Sequence, residues 1–335
     1  MYATIEGTTR YADRFPPYRD AAFYRSAAGL VISSLGIGTY LGAADDAADH
    51  DYIAALLAAG EGGINLFDTA INYRNQRSER AIGAALHQLQ RDEIVVCTKA
   101  GFLTPGAIPA FLKPEDVVGR MHSMQPDFLA DQIDRSLANL GIDTVDVFYL
   151  HNPETQLGFL TREEFETRVR RAFVRLEALV GEQKIRWYGA ATWDGFRKGA
   201  LNLPRLAALA VEECGPEHHF RFIQLPFNVG MVEAFLSGSD GDRPESVLQA
   251  ASRLGITAIA SATLSQTQAL EHIPRSLAEL FPGMTSAQRA IQFTRSTPGI
   301  TAALVGLGRT EHVVENLGVA PVPSATPEQY LRLYQ

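Results

Sequence analysis

Short apolar runs, mostly β-branched or aromatic, recur along the chain at residues 64–67, 94–97, 147–150, 185–189, 222–225, 256–260 and 301–305. Their apolar positions are nearly continuous rather than alternating, as expected for strands covered on both faces. Helical spacing fills the intervals. Ile82, Ala85, Leu86 and Leu89 form one stripe; Leu129, Ile133, Leu137 and Leu140 form another, opened by Pro126 and closed by Gly141. Thr161 and Glu164 are spaced as a capping box ahead of Phe165, Val169, Phe173, Leu176 and Val180. Gly60 and Gly181 stand where C-terminal glycines are expected.

A first strand at 35–40 brings the count to about eight strand–helix units, in a chain of the size that a (β/α)8 TIM barrel takes. A doubly wound α/β sheet has the same local pattern. With no composition break, the chain reads as a single α/β domain. A polar, aperiodic arm (1–28) precedes a barrel (29–318) and a tail (319–335). Three stretches exceed ordinary connections: 100–125, 228–243 and the tail after Leu317. In a barrel, loops after strands lie on the C-terminal face, where active sites are built. Phe102, Phe111, Met121 and Met124 give the first of these loops apolar material, either for a pocket wall or to pin the loop down.

Charge and cysteine content exclude several classes. Lys and Arg total 30 against 38 Asp and Glu, a net charge of −8, which argues against a nucleic-acid partner. No run nears the roughly eighteen apolar residues of a membrane span, and the N-terminus carries no apolar signal segment. Cys97 and Cys214 alone make no disulfide framework, so the cytoplasm is the expected compartment.

Candidate chemistry gathers at the ends of three consecutive strands. Asp68 follows the run 64–67, with Tyr73 five residues on; Lys99 follows 94–98, and His151 follows 146–150. In a barrel these ends are neighbours. A lysine ammonium beside a tyrosine hydroxyl lowers its pKa from about 10, and an aspartate holds the lysine charged and in place. A histidine across the site orients a carbonyl oxygen. Together they form a proton donor aimed at a developing alkoxide. Any one of these residues alone is more often a cap or turn residue; four on one face form a catalytic candidate.

Asp68-Thr69-Ala70-Ile71-Asn72-Tyr73 followed by Gln76-Arg77-Ser78-Glu79 resembles the DTA-x-x-Y…RSE signature of the aldo-keto reductases. Gly36-Ile37-Gly38-Thr39 resembles that family's opening strand, Thr98-Lys99 its lysine strand and Asp146…Leu150-His151 its histidine strand. Gln224, Ala287-Gln288…Ala290 and Val305-Gly306…Glu315-Asn316 extend the resemblance to about Leu317. It implies a TIM barrel that binds NADPH, with NADH as the alternative, and reversibly reduces an aldehyde or ketone with Tyr73 as the acid. Lys99 and Asp68 would tune Tyr73, and His151 would orient the substrate. By the same resemblance the cofactor falls to Gly38, Thr39, Thr192, Gln224, Ser261, Leu264, Gly306, Arg309, Thr310, Glu315 and Asn316. Tyr40, Phe102, Trp193 and Phe227 are the candidate pocket walls and favour a substrate with some apolar surface.

Two departures bear on the nicotinamide. Ala191-Thr192 stands where the family has a Ser-Asn pair, leaving one hydroxyl, and Ser261 stands where an aromatic stacks on the ring. They motivate an alternative: a cofactor-binding regulatory or scaffold protein of this fold with little turnover. Trp193 is a candidate for the missing ring face. Arg309 and Thr310 are placed to hold a 2′-phosphate near a helix N-terminus, although His312 replaces the family's later arginine.

Other motifs carry less. The glycines at 36, 38 and 42 miss the dinucleotide-loop spacing by one residue, so a Rossmann site is excluded. Cys214, His218 and His219 lack a second ligand pair, and no metal is expected. Asp45, Asp46, Asp49 and Asp51 fit a helix N-terminus. Arg168, Arg170, Arg171 and Arg175 fit a solvated helix face.

Overall fold

The computed structural model describes residues 1–236, 245–265 and 273–334. A hairpin of β1 (Tyr24–Ala27) and β2 (Leu30–Ser33) precedes eight parallel strands. These are β3 (Leu35–Gly38), β4 (Leu66–Asp68), β5 (Val95–Ala100), β6 (Val145–His151), β7 (Ile185–Ala191), β8 (Phe220–Pro226), β9 (Thr257–Ser261) and β10 (Ile300–Gly306). Pairing runs in sequence order from β3 to β10, and β10 pairs back onto β3 to close a (β/α)8 barrel. Every residue of β5 and β6 is buried, which explains their lack of alternation. Part of the expected 228–243 stretch lies outside the described residues.

Two apolar layers hold the fold. One lies inside the barrel and includes Leu66, Val95, Cys97, Val147, Tyr149, Phe222 and Leu304. The other lies between strands and helices; Ile82, Leu129, Phe173 and Leu176 of the predicted stripes belong to it. The capping box of helix Arg162–Gly181 forms in both directions, and Asp45 caps helix Asp46–Gly62 through the Ala48 amide. The C-terminal glycine of that helix is Gly63 at φ 112°, not Gly60. Gly60 lies inside the helix, where a Cβ would come within 2.7 Å of Leu89, and its carbonyl accepts from Tyr11 at 2.6 Å.

Residues 1–28 are ordered rather than aperiodic. They form helices Ile5–Asp13 and Pro16–Asp20 and the first strand of the hairpin. The hairpin covers the N-terminal end of the barrel: Ser33 N–H donates to Asn65 Oδ1 at 2.8 Å, and Arg25 donates to the Ile300 carbonyl at 2.7 Å. Buried Arg295 ties down the tail by donating to the Val319 carbonyl at 2.9 Å and the Val322 carbonyl at 3.0 Å. The opposite, C-terminal end carries the candidate chemistry. Among the described residues no helix is long and apolar enough to cross a membrane.

Candidate active site

The loop leaving β4 sets Tyr73. Thr69 and Ile71 donate backbone hydrogen bonds to the Cys97 and Lys99 carbonyls, carrying the β4–β5 pairing past the end of β4. The chain then turns through Arg74, Asn75 and Gln76, at φ 49°, 54° and 70°. Three successive non-glycine residues in the left-handed region are costly and must be held by their surroundings. Arg74 supplies one hold, donating to the Ala43 carbonyl at 2.7 Å and to Asp49 at 2.6 Å. Ser78 and Glu79 supply the other. Ser78 donates to the Thr39 carbonyl at 2.7 Å, while buried Glu79 accepts from Thr98 at 2.7 Å and Asn139 at 2.8 Å.

Asp68, Lys99, Tyr73 and His151 converge. Lys99 Nζ lies 2.5 Å from Asp68 Oδ1 and 2.7 Å from the Thr69 carbonyl. Gln224 donates to the other carboxylate oxygen, Oδ2, at 2.8 Å. Burial pulls the Lys99 pKa down, but Asp68 and Tyr73 outweigh it and raise the value above its ordinary range. Burial raises the Asp68 pKa, against the pull of Lys99 and Gln224. With both carboxylate oxygens accepting, the pair is ammonium and carboxylate.

Lys99 Nζ stands 5.1 Å from the Tyr73 ring centroid, and the Tyr73 and His151 rings meet edge-on at 5.7 Å. Burial raises the Tyr73 pKa above its ordinary value, and Lys99 only partly offsets this. The expectation of a net lowering is therefore corrected: desolvation of the phenolate outweighs the cation's attraction. Burial, then Lys99 and His122, push the His151 pKa well below the ordinary histidine range, so its imidazole is neutral.

The predicted pocket residues divide. Tyr40 is exposed and meets the Tyr73 ring at 4.9 Å; Phe102 meets His151 at 5.1 Å; Trp193 is exposed on the loop after β7. Phe227 is not a wall. It is fully buried, with its ring stacked on Phe293 at 6.0 Å in the layer between strands and helices.

The predicted cofactor residues lie at the same end, on or after β3, β7, β8, β9 and β10. Thr192 and Asn316 are buried with Oγ1 and Oδ1 unpartnered. Thr263 has a buried Oγ1 in the same condition, a position that carries no motif in the sequence. Arg309, Thr310, Glu315 and Gly306 are exposed, and Gly38, Ser261 and Leu264 are half-buried. The helix Thr310–Leu317 has no side-chain cap, which leaves its first amides for another acceptor. Thr39 and Gln224 are already engaged: Thr39 donates to Thr69 Oγ1 at 2.9 Å, and Gln224 holds Asp68.

The arrangement sets a phenol beside an ammonium, opposite a neutral imidazole, at the open end of a barrel. A family model described as "Aldo/keto reductase family" matches residues 34–334. The chain belongs to the aldo/keto reductase family. Its resemblance to a NADH-specific methylglyoxal reductase of Escherichia coli is 31% identity over 49% of the chain and 50% of that protein, so about half that relative's length is spanned. A Schizosaccharomyces pombe protein named as a putative voltage-gated potassium channel subunit beta is 26% identical over 96% of the chain and 93% of its own length. A Klebsiella pneumoniae aldo/keto reductase structure in complex with NADP and acetate shares the fold. Its TM-score is 0.65 at 21% identity, covering 91% of this chain and 93% of that one.

Several residues of this reductase-family site carry no sequence signal. His122 and Gln156 lie buried behind His151, and Arg168, read as a solvated arginine, donates to Gln156 and to the Glu115 carbonyl. Glu154 accepts from the backbone amides of Trp193, Asp194 and Gly195 at 2.8, 3.1 and 3.1 Å, tying the loop after β6 to the loop after β7. His219 donates to Glu177 instead of joining a metal set, and among the described residues no His/Cys/Asp/Glu cluster is arranged to hold a metal.

Proposed function

We propose that the protein is an NAD(P)H-dependent oxidoreductase that reversibly reduces an aldehyde or ketone to an alcohol. The observation that carries this reading is the convergence of Tyr73 with the Asp68–Lys99 pair and neutral His151 at the open barrel end. A nicotinamide cofactor, when bound, would supply the hydride that the carbonyl carbon takes up. Tyr73 donates the proton to the carbonyl oxygen, so the C=O double bond becomes a C–O single bond with one new C–H and one new O–H bond. Lys99 stabilises the phenolate left behind, and Asp68, fixed by Gln224, keeps Lys99 charged and aimed. His151 is uncharged and so directs the carbonyl oxygen by hydrogen bonding without competing as an acid. Tyr40, Phe102 and Trp193 favour a substrate with apolar surface beside its carbonyl.

The orphaned buried atoms Thr192 Oγ1 and Asn316 Oδ1 fit a polar cofactor, as does the uncapped helix N-terminus behind Arg309. Thr192 would hold the nicotinamide end, with Ser261 beside it; Gly306, Arg309, Thr310, Glu315 and Asn316 would hold the adenosine end. Arg309 and Thr310 favour NADPH. The second reading, a cofactor-binding regulatory protein with little turnover, draws on Ala191, Ser261 and the near-full-length likeness to the potassium channel subunit. Cofactor fluorescence titration together with turnover on a panel of carbonyls and alcohols, with both cofactors, separates the two. Binding with turnover supports the reductase; binding alone supports the regulator; no binding overturns both.

A further inference from the structure

Behind His151 runs a directed chain of hydrogen bonds. Arg168 Nη1 donates to Gln156 Oε1 at 2.9 Å, which orients that amide so that its Nε2 donates to His122 Nδ1 at 2.9 Å. Nδ1 therefore accepts, the imidazole proton lies on Nε2, and Nε2 donates to the His151 carbonyl at 2.7 Å. Burial holds the His122 pKa down at about 4, so this neutral tautomer persists through the neutral range.

The peptide between His151 and Asn152 is gripped at both ends. Its carbonyl accepts from His122, and its N–H donates to the Ala191 carbonyl of β7 at 2.7 Å. Asn152 leaves β6 in the left-handed region at φ 47°, so without these two bonds the peptide would have little reason to hold its plane. The neighbouring backbone is built around the first of them. A Cβ at Gly101 would fall 2.6 Å from His122 Nε2 and 2.7 Å from the His151 carbonyl oxygen, so only glycine leaves the bond room. Phe102 then lies edge-on to both rings, 5.2 Å from His122 and 5.1 Å from His151.

We propose that His122 is a positioning residue for the reaction proposed above: by clamping the His151–Asn152 peptide and bracing Phe102, it sets the His151 imidazole against Tyr73. The inference rests on the reductase reading for its kinetic consequence, but its structural claim can be read without turnover.

The test compares His122→Leu, which removes the donor, with His122→Gln, which returns an amide N–H near the position of Nε2. His122→Leu is expected to lower kcat by about ten- to a hundredfold with cofactor affinity unchanged, and His122→Gln to stay within about threefold of wild type. In ¹⁵N-histidine NMR spectra, wild-type His122 is expected to show a protonated Nε2 and a bare Nδ1. His151 resonances should shift in His122→Leu but not in His122→Gln. Where His122→Leu fails to fold, Gln156→Leu replaces it, and a change in the His122 tautomer ratio is expected. Unchanged kcat and His151 resonances in the Leu variants overturn the proposal, as does His122→Gln impaired as severely as His122→Leu while both are folded. A wild-type protein without turnover sinks the reductase reading alone, because the His151 shifts still decide the positioning role.

Discussion

Gln224 donates to Oδ2 of Asp68 at 2.8 Å while Lys99 occupies Oδ1. The amide comes from β8 and the carboxylate from β4, so the bond crosses the barrel. It fixes the carboxylate that holds Lys99 Nζ 5.1 Å from the Tyr73 ring centroid. Gln224→Leu strands a buried carboxylate oxygen and should cost about 1–3 kcal/mol of stability. Lys99→Met strands the whole charge and should cost about 3–5 kcal/mol. Urea denaturation of both variants, with Asp68→Asn/Lys99→Met alongside, checks this; the double variant should recover part of the Lys99→Met loss.

A second expectation concerns pH. Burial raises the Tyr73 pKa, so the phenol stays protonated through the neutral range. In the proposed reaction carbonyl reduction consumes that proton, so its rate should hold flat and fall only as pH rises above the ordinary tyrosine value of about 10. Alcohol oxidation needs the phenolate and should rise along the same limb. Neutral His151, with its pKa pushed well down, should add no inflection near the ordinary histidine value of about 6.5. A kcat profile for reduction that breaks there would contradict this assignment of charges.

Gly189 gives a test of the barrel itself. A Cβ there would fall 2.0 Å from the Phe222 carbonyl oxygen, across the β7–β8 pairing. Gly189→Ala should force the strands apart and leave little folded protein at ambient temperature. Circular dichroism melting checks it, with the exposed Gly181→Ala, which meets nothing within 4 Å, as the tolerated control.

The parts of this molecule that were legible in its sequence are those whose cause is local. β5 and β6 are buried throughout, so their apolar runs are unbroken. Asp68, Lys99 and His151 each follow or close such a run, and barrel geometry alone makes them neighbours. The rest depends on partners far along the chain. Gln224 shows a resemblance but not that Asp68 takes its amide, and His122 lies in a loop without periodicity. Gly60 looks like a helix end until Leu89 and Tyr11 are packed against it. Phe227 follows a strand as a pocket residue would, yet its ring stacks on Phe293 from a helix much later in the chain. The N-terminal arm reads as aperiodic because its first helix buries Gly7, Thr8, Tyr11 and Ala12 instead of an aliphatic stripe, and its second buries no residue.

In the proposed function, cofactor choice turns on Arg309. Its guanidinium lies exposed at the start of helix Thr310–Leu317, where the free amides favour an anion. Arg309→Ala should weaken NADPH by about ten- to a hundredfold, at about 1.4 kcal/mol per decade, and leave NADH nearly unchanged. Fluorescence titration with each cofactor measures both. An equal effect on the two would remove the 2′-phosphate from the argument.

The central claim is that Tyr73 is the proton donor, and the most direct measurement is turnover by purified Tyr73→Phe. With NADPH and a reactive aldehyde in excess, loss of the hydroxyl should lower kcat by about a hundred- to ten-thousandfold, the usual worth of a positioned general acid. NADPH affinity should match wild type, because the substitution leaves Thr192, Arg309 and Asn316 untouched. A Tyr73→Phe protein that binds NADPH and oxidises it with the aldehyde as fast as wild type would contradict the account.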